Sequence, residues 1–322
     1  MKVYKLLNHK LLSIVLVNWN AGAQLADVVS SIAHFHHGLV ESVIVVDNAS
    51  SDDSLAQIEA FINLPFQLQI VRNAENRGFG AACNQGAALS ESEFLLFLNP
   101  DTRLFVNSLS VPLEFMQDPA NRDVGVVGIQ LVDDNNKIAL SCARFPSLKI
   151  FAAQAVGLSR LRGLHHLNTH MSDWHHNETR IVDHVIGAFY LMRRSLFKSL
   201  GGFDERFFVY LEDLDLSLRV SHAGHSSLYL TDAQAFHAGG GASRQVKVHR
   251  LFYSLRSRLL YGFKHFSLVN AWLLLLITLS VEFVTRSIFA LAGSGVNGLM
   301  NTWRAYGMLW GDLASVLGQR RK

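Results

Sequence analysis

Hydrophobic positions in the first hundred residues follow two rhythms. Residues 12–17, 43–46 and 94–98 are short apolar runs rich in Val, Leu, Ile and Phe, the first interrupted only by Ser13, and residues 67–71 alternate apolar with polar. Between them lie residues 24–35, 53–62 and 80–89, longer mixed stretches whose starts carry capping residues or glycine. Short β-rich runs bounded by polar residues predict strands, and the intervening stretches predict helices. Strand–helix alternation with largely apolar strands predicts an α/β fold: a parallel sheet with helices on both faces.

The second half is less regular. Residues 158–180 form a polar stretch with five histidines, His165, His166, His170, His175 and His176. Residues 185–192 are apolar, 201–224 open on a turn and close as a helix, and 228–230 read as a short strand. From about residue 246 the pattern is helical. This predicts an α/β domain over residues 1–245 and a helical region over 246–322.

Three of the predicted strands end on polar groups: Asn18 and Asn20, then Asp47, then Asn99 and Asp101. Ligands of parallel α/β sheets bind outside the carboxyl ends of the strands, so these residues predict one site. Either aspartate alone reads equally well as a helix N-cap. Two carboxylates on one rim favour a divalent cation that neutralises a substrate diphosphate.

Charge adds a second theme. Residues 1–243 hold 18 Lys and Arg against 24 Asp and Glu, whereas residues 244–322 hold 11 against 2. The basic region also contains residues 266–281 and 287–303, uncharged runs of 16 and 17 residues. Each is shorter than the ~20 residues of a membrane span. Arg250, Arg256, Arg258 and Lys264 precede the first run, and Arg320, Arg321 and Lys322 follow the second. Glu282 and Arg286 stand between the runs at i,i+4 spacing. The pattern predicts interfacial helices on an anionic membrane surface, with an oligomer interface as the alternative. Nucleic acid, the other partner of a basic tail, is not expected. Cys83 and Cys142 match neither a metal spacing nor a disulfide framework, which predicts a reducing cytoplasm. Lys2, Lys5 and Lys10 before an apolar run imitate a leader. The run is seven residues long and ends at Asn18-Trp19-Asn20, so a buried first strand is expected.

Three further motifs bear on chemistry. Asn76-Arg77-Gly78-Phe79-Gly80 nearly matches a dinucleotide fingerprint, with Asp101 downstream, which would make the protein a nicotinamide- or flavin-dependent oxidoreductase. The fingerprint needs its first glycine immediately after a strand, and here six residues intervene. Glu212, Asp213 and Asp215 crowd the first turn of a helix. They read as dipole compensation plus an Asp215–Arg219 pair, or as a general base whose pKa is raised by like charges. His237 precedes a glycine-rich turn with Ser243 and Arg244 beyond it, a setting for metal and phosphate contacts. The five histidines match no zinc spacing and read as a flexible acceptor loop.

In order along residues 12–244, the chain shows Val17-Asn18-Trp19-Asn20, Val45-Val46-Asp47-Asn48-Ala49-Ser50, Asn76-Arg77-Gly78-Phe79-Gly80, Asn99-Pro100-Asp101, Gly187-Ala188-Phe189, Gly201-Gly202-Phe203-Asp204-Glu205, Glu212-Asp213-Leu214-Asp215 and His237. This series resembles the family 2 glycosyltransferases of GT-A fold, in particular their rhamnosyltransferase-like branch. The resemblance implies an inverting sugar transfer from a nucleotide-diphosphate sugar, for which dTDP-L-rhamnose is the expectation. The implied acceptor is a polyprenyl-diphosphate-linked saccharide of O-antigen or another cell-envelope glycan, at the cytoplasmic face of the inner membrane. It implies donor contacts from Asn20, Asp47, Asn76, Gly78, Asn99 and Asp101. Asn99-Pro100-Asp101 stands where the family has its metal-binding DxD, so Asp101 and His237 become the ligands of Mg2+ or Mn2+. Asp213 becomes the catalytic base, with Glu212 and Asp215 orienting the acceptor side. A nucleotide-sugar-binding scaffold without turnover is the non-enzymatic alternative, and intact Asp101, Asp213 and His237 argue against it.

Overall fold

The computed structural model describes residues 11–239 and 247–319. The chain begins β1 (Leu12–Asn18), α1 (Ala23–Phe35), β2 (Val40–Asp47), α2 (Ser54–Glu59), β3 (Gln67–Arg72), α3 (Phe79–Ala88) and β4 (Phe94–Leu98). The predicted alternation is therefore present, with the second helix ending at Glu59. These four strands pair in parallel in the order β3-β2-β1-β4. The apolar bulk of the central strands has a simple cause. Leu12, Ile14 and Leu16 pack against Leu25, Val28 and Ile32 of α1 on one face. Val15 and Val17 join Ala82, Cys83 and Ala87 of α3 on the other. Both faces are buried, so neither can be polar. The small residues of α3 are required by proximity: a Cβ on Gly86 would lie 2.5 Å from Val15 Cγ1.

Beyond β4 the sheet becomes mixed. The chain continues through β5 (Thr102–Leu104), α4 (Ser110–Gln117), β6 (Val124–Val132), β7 (Cys142–Ala143), α5 (Leu148–Ala155), β8 (Arg180–Val182), β9 (His184–Val185), β10 (Phe189–Arg193), α6 (Arg194–Ser199), α7 (Glu212–His222) and β11 (Ser226–His237). Strand β10 inserts antiparallel between β4 and β6, and β11 runs parallel to β6 and antiparallel to β5. Parallel pairing thus dominates the first half only. The apolar run at 185–192 is not one strand. It is β9 and β10 separated by Ile186-Gly187-Ala188, and that break lies beside the first turn of α7. The histidine-rich stretch contains two short 3-10 turns, and His176 is buried beneath Trp174, where Nε2 accepts from the Cys142 N–H. His176 is thus a packing residue rather than part of a flexible loop.

Helices α8 (Lys247–His265), α9 (Leu268–Ile277) and α10 (Phe283–Gly318) complete the molecule. A short π-helical turn joins α9 to α10, so helix is continuous from Leu268 to Gly318, kinked at Gly295 where φ is +63°. Leu255, Leu259, Leu274 and Tyr306 share a hydrophobic cluster with Phe151, Phe207 and Leu214 of the α/β part. The expected Glu282–Arg286 pair is present at 2.8 Å, and Glu282 also holds Arg258 at 2.5 Å. Of the four cations expected to face lipid, three turn inward: Arg256 to Asp312, Arg258 to Glu282, and Lys264 to Asp204 and Asp215. Arg250 remains exposed. Arg320, Arg321 and Lys322, like Lys2, Lys5 and Lys10, lie outside the described residues.

Candidate active site

The carboxyl ends of β1 and β2 are fastened to each other. Asn18 Nδ2 donates to Asp47 Oδ1 at 2.7 Å, and Asp47 Oδ2 accepts the Ser50 N–H at 3.1 Å. Asn20, in the left-handed region at φ +52°, accepts the Ser51 N–H at 2.7 Å. These bonds set the loop after β2 at the rim, with Asp47 nearly buried and its carboxylate oriented from two sides. Asn48, already in the motif after β2, and two residues absent from the sequence reading, Asn73 and Gln85, extend the frame. Asn48 Nδ2 donates to the Gly78 carbonyl, and Asn73 bridges Asn48 Oδ1 and Gln85. A run of amides beside strand ends was the available signal.

Asn76 accepts the Gly78 N–H at 2.9 Å and so forms the turn that opens α3. Gly78 has φ +87°, and a Cβ there would lie 2.3 Å from the Phe208 carbonyl oxygen. Glycine is the residue that fits this approach. The same carbonyl accepts the Phe79 N–H at 2.8 Å. A Cβ on Gly80 would meet Phe203 and Glu212. Close packing against Phe208 and Phe203 therefore accounts for both glycines without a dinucleotide. The oxidoreductase reading of this loop is not favoured.

Asn99 accepts from Thr102, and its N–H bonds the Ala188 carbonyl, which ties the loop after β4 to the start of β10. Asp101 follows, nearly buried, and its carbonyl accepts the Ala238 N–H. The β5–β11 register then brings His237 opposite Thr102 and leaves His237 Nε2 3.3 Å from Asp101 Oδ1. His237 Nε2 is shielded from solvent and makes no aligned hydrogen bond among the described residues. An imidazole nitrogen and a carboxylate oxygen directed to one place, from two strands, fit a shared divalent cation. Among the described residues no group of three or more metal-binding side chains exists. Two protein ligands suit a cation held largely by substrate diphosphate oxygens and water. Ser243 and Arg244 lie outside the described residues.

The acidic cluster sorts into three different environments. The helix α7 starts from Tyr210 and Leu211, both left-handed at φ +69° and +66°. Consecutive β-carbon-bearing residues in that region are strained, and such strain concentrates at functional sites. Asp213 Oδ2 accepts the Gly187 N–H at 2.7 Å, and Oδ1 accepts the Leu214 N–H at 2.8 Å. His184 Nε2 stands 3.5 Å from Oδ2. Burial works to raise the Asp213 pKa, but the adjacent imidazole and the two N–H donors outweigh it and hold the carboxyl below its usual range. Glu212 moves the other way: burial, then the charge of Asp213, push its carboxyl well above the glutamate range. The expected effect of crowded acids on Asp213 is thus corrected. The neighbour takes up the proton, and Asp213 stays ionised.

Neither flanking acid opens to an acceptor. Glu212 is buried against Gly80, with Oε2 lacking a partner. Asp215 is fully buried and turned to the C-terminal helices, bonded to Arg219 at 2.9 Å, Lys264 at 2.6 Å and His265 at 2.7 Å. The Asp215–Arg219 pair read from i,i+4 spacing is real. The orienting role toward an acceptor does not fit where the side chain points. His184 was not anticipated; the signal was an imidazole at the head of an otherwise apolar run.

The fold is that of the GT-A nucleotide-sugar transferases. Residues 13–201 match the model of glycosyl transferase family 2, so the chain belongs to that family and is a glycosyltransferase. It is 28% identical over 240 residues to N-acetylglucosaminyl-diphospho-decaprenol L-rhamnosyltransferase of Mycobacterium tuberculosis, covering 70% of this chain and 75% of that protein. It is 27% identical over 174 residues to rhamnosyltransferase WbbL of Escherichia coli, covering 53% and 62%. Among solved structures it resembles the mannosyltransferase PcManGT of Pyrobaculum calidifontis with GDP-Man and Mn2+, with TM-score 0.54 and 15% identity over 96% of this chain and 79% of that one. At that identity the likeness speaks for the fold.

Proposed function

We propose that this glycosyltransferase moves L-rhamnose, with inversion, from dTDP-L-rhamnose to a polyprenyl-diphosphate-linked saccharide in cell-envelope glycan synthesis. The observation that carries the mechanism is the environment of Asp213. Its carboxylate is kept ionised at the mouth of α7, the state a general base needs before it meets substrate. Asp213 removes the proton from an acceptor hydroxyl as that oxygen attacks the anomeric carbon. Asp47, Asn20 and the Asn76–Gly78 turn hold the nucleotide end of the donor, and Asn99 lies beside the diphosphate. Asp101 and His237 hold Mg2+ or Mn2+, which supplies positive charge to the leaving diphosphate. The sugar is supported by both rhamnosyltransferase relatives, and the lipid-linked acceptor by the Mycobacterium tuberculosis one.

The acceptor's lipid places the enzyme at a membrane, and we infer contact through α9 and α10 at the cytoplasmic face of the inner membrane. Val269, Leu273 and Leu276 lie at i, i+4 and i+7 on α9, 69%, 42% and 63% exposed, and Ile288, Phe289 and Trp303 add exposed apolar area on α10. Arg250 and Arg304 are exposed cations available to anionic headgroups. The stretch 268–318 is long and apolar enough to cross a membrane by length and composition. Glu282, at the junction of α9 and α10, is pinned to α8 by Arg258, which favours helices lying on the surface. A second copy covering the same face is the alternative. The test is transfer from a panel of nucleotide sugars to a polyprenyl-diphosphate-linked N-acetylglucosamine. Rhamnosylated product from dTDP-L-rhamnose is expected; product from another sugar only overturns the donor assignment.

A further inference from the structure

Asp213 and Ser217 lie one turn apart on α7, so their side chains share a face of that helix. Both reach the same imidazole. His184 Nε2 is 3.5 Å from Asp213 Oδ2, and His184 Nδ1 is 2.9 Å from Ser217 Oγ. Ser217 Oγ is in turn 2.9 Å from Tyr190 Oη on β10. His184, Tyr190 and Ser217 are all buried, in a sheet core where an unmade polar contact is costly. One assignment of hydrogens suits the whole chain. The Tyr190 O–H donates to Ser217 Oγ, the Ser217 O–H donates to Nδ1, and Nε2–H faces the carboxylate. Burial pushes the Tyr190 phenol up, so it remains a donor throughout the working pH range. Three elements, β9, β10 and α7, thus converge on the orientation of one carboxylate.

We propose that His184 is a positioning residue for sugar transfer, holding the Asp213 carboxylate through Nε2 while the Ser217 and Tyr190 hydroxyls hold the imidazole. The proposal rests on Asp213 being the base. His184 does two things for it. It removes rotational freedom that the Gly187 and Leu214 N–H groups leave, and it favours the ionised carboxylate in a buried site. Other groups facing Asp213 do not replace it. Glu212 and Asp215 are acids on its own helix, the Cys83 thiol below is pushed well up by burial, and Tyr190 is bound to Ser217. His170, from the loop before β8, interacts with both His184 and Asp213 across the site.

The experiment uses the full-length enzyme with His184→Phe, His184→Gln and Ser217→Ala, beside Asp213→Asn. His184→Phe is expected to lower kcat about 10–100-fold, the usual loss when an orienting partner is removed, with donor KM unchanged. The acid limb of its kcat–pH profile moves to higher pH, because the carboxylate loses the group that favoured its charge. His184→Gln keeps an N–H near Oδ2 and recovers most of the turnover and the profile; Ser217→Ala shifts the profile in the same direction by less. A structural role would move stability alone. Denaturation of His184→Phe, Asp213→Asn and the double variant gives a readout independent of turnover, and non-additive losses are expected. Additive losses, or a His184→Phe enzyme with the wild-type pH profile and kcat while Asp213→Asn is inactive, overturn the positioning role and leave the base in place. An active Asp213→Asn enzyme overturns the base assignment itself.

Discussion

Replacing Asp213 by asparagine separates chemistry from structure in this site, and both effects have sizes that the geometry sets. The two carboxylate oxygens accept one backbone N–H each, from Gly187 and Leu214. An amide has one acceptor oxygen and one donor nitrogen, so Asp213→Asn satisfies one N–H and sets its own NH2 against the other. A buried donor left unmatched costs about 1–3 kcal/mol, so the variant is expected to unfold at lower urea by that amount. The chemical effect is larger. Loss of the general base is expected to reduce kcat about 10²–10⁴-fold, equivalent to about 2.7–5.4 kcal/mol of barrier. Nucleotide-sugar affinity, which the proposal assigns to the ends of β1, β2 and β4, is expected to stay within about twofold, inside the few tenths of a kcal/mol usual for distant sites. Turnover is followed with labelled donor and lipid-linked acceptor at saturating donor, and affinity by calorimetry. Near-wild-type turnover would refute the assignment, and it could not be rescued by moving the base to Glu212 or Asp215, since both are closed off. Lost donor binding with turnover reduced only in proportion would make Asp213 a structural or donor-site residue.

Three further outcomes are expected. The folded pKa of Glu212 is raised above its unfolded value, so the native state keeps a proton that the unfolded chain releases. Stability is therefore lost as pH rises from the ordinary glutamate range toward the folded value, and the advantage of Glu212→Gln over wild type in urea denaturation should grow from about pH 5 to pH 8; a constant difference refutes the protonated state. Transfer should cease in excess EDTA and return with Mn2+ or Mg2+, and Asp101→Ala should weaken nucleotide-sugar binding with metal present but not without it; full activity in EDTA refutes the cation's role. Changing Val269, Leu273 and Leu276 together to glutamate removes apolar side chains worth about 1.5 kcal/mol or more each when buried, so flotation with anionic vesicles should be abolished. Unchanged flotation would turn that face over to another occupant. Truncation is a poor substitute, because removing Glu282 would leave the Arg258 charge buried without its partner.

Much of the architecture was determined by local pattern. The runs at 12–17, 43–46 and 94–98 had to be strands buried on both faces, and the polar residues ending them had to meet on one rim, because parallel strands present their carboxyl ends together. Asp47 and Asp101 stood out as strand-end carboxylates for that reason, Asp213 was singled out through the family resemblance, and the Glu282–Arg286 pair needed only helical spacing. What tertiary structure decided was the partner of each charge. Asp213 and Asp215 are two residues apart, yet one faces Gly187 and His184 while the other is sealed against Lys264 and His265. Helical rotation separates them by about 200°, and only the packing of β9 on one side and α8 on the other says which is the reacting side. The same holds for the basic region, whose cations read as lipid-facing but in three cases turn inward to acids. Sequence spacing fixes direction around a helix or strand. It carries no information about what long-range contact stands opposite, and it is that contact which sets the protonation of Glu212 and Asp213.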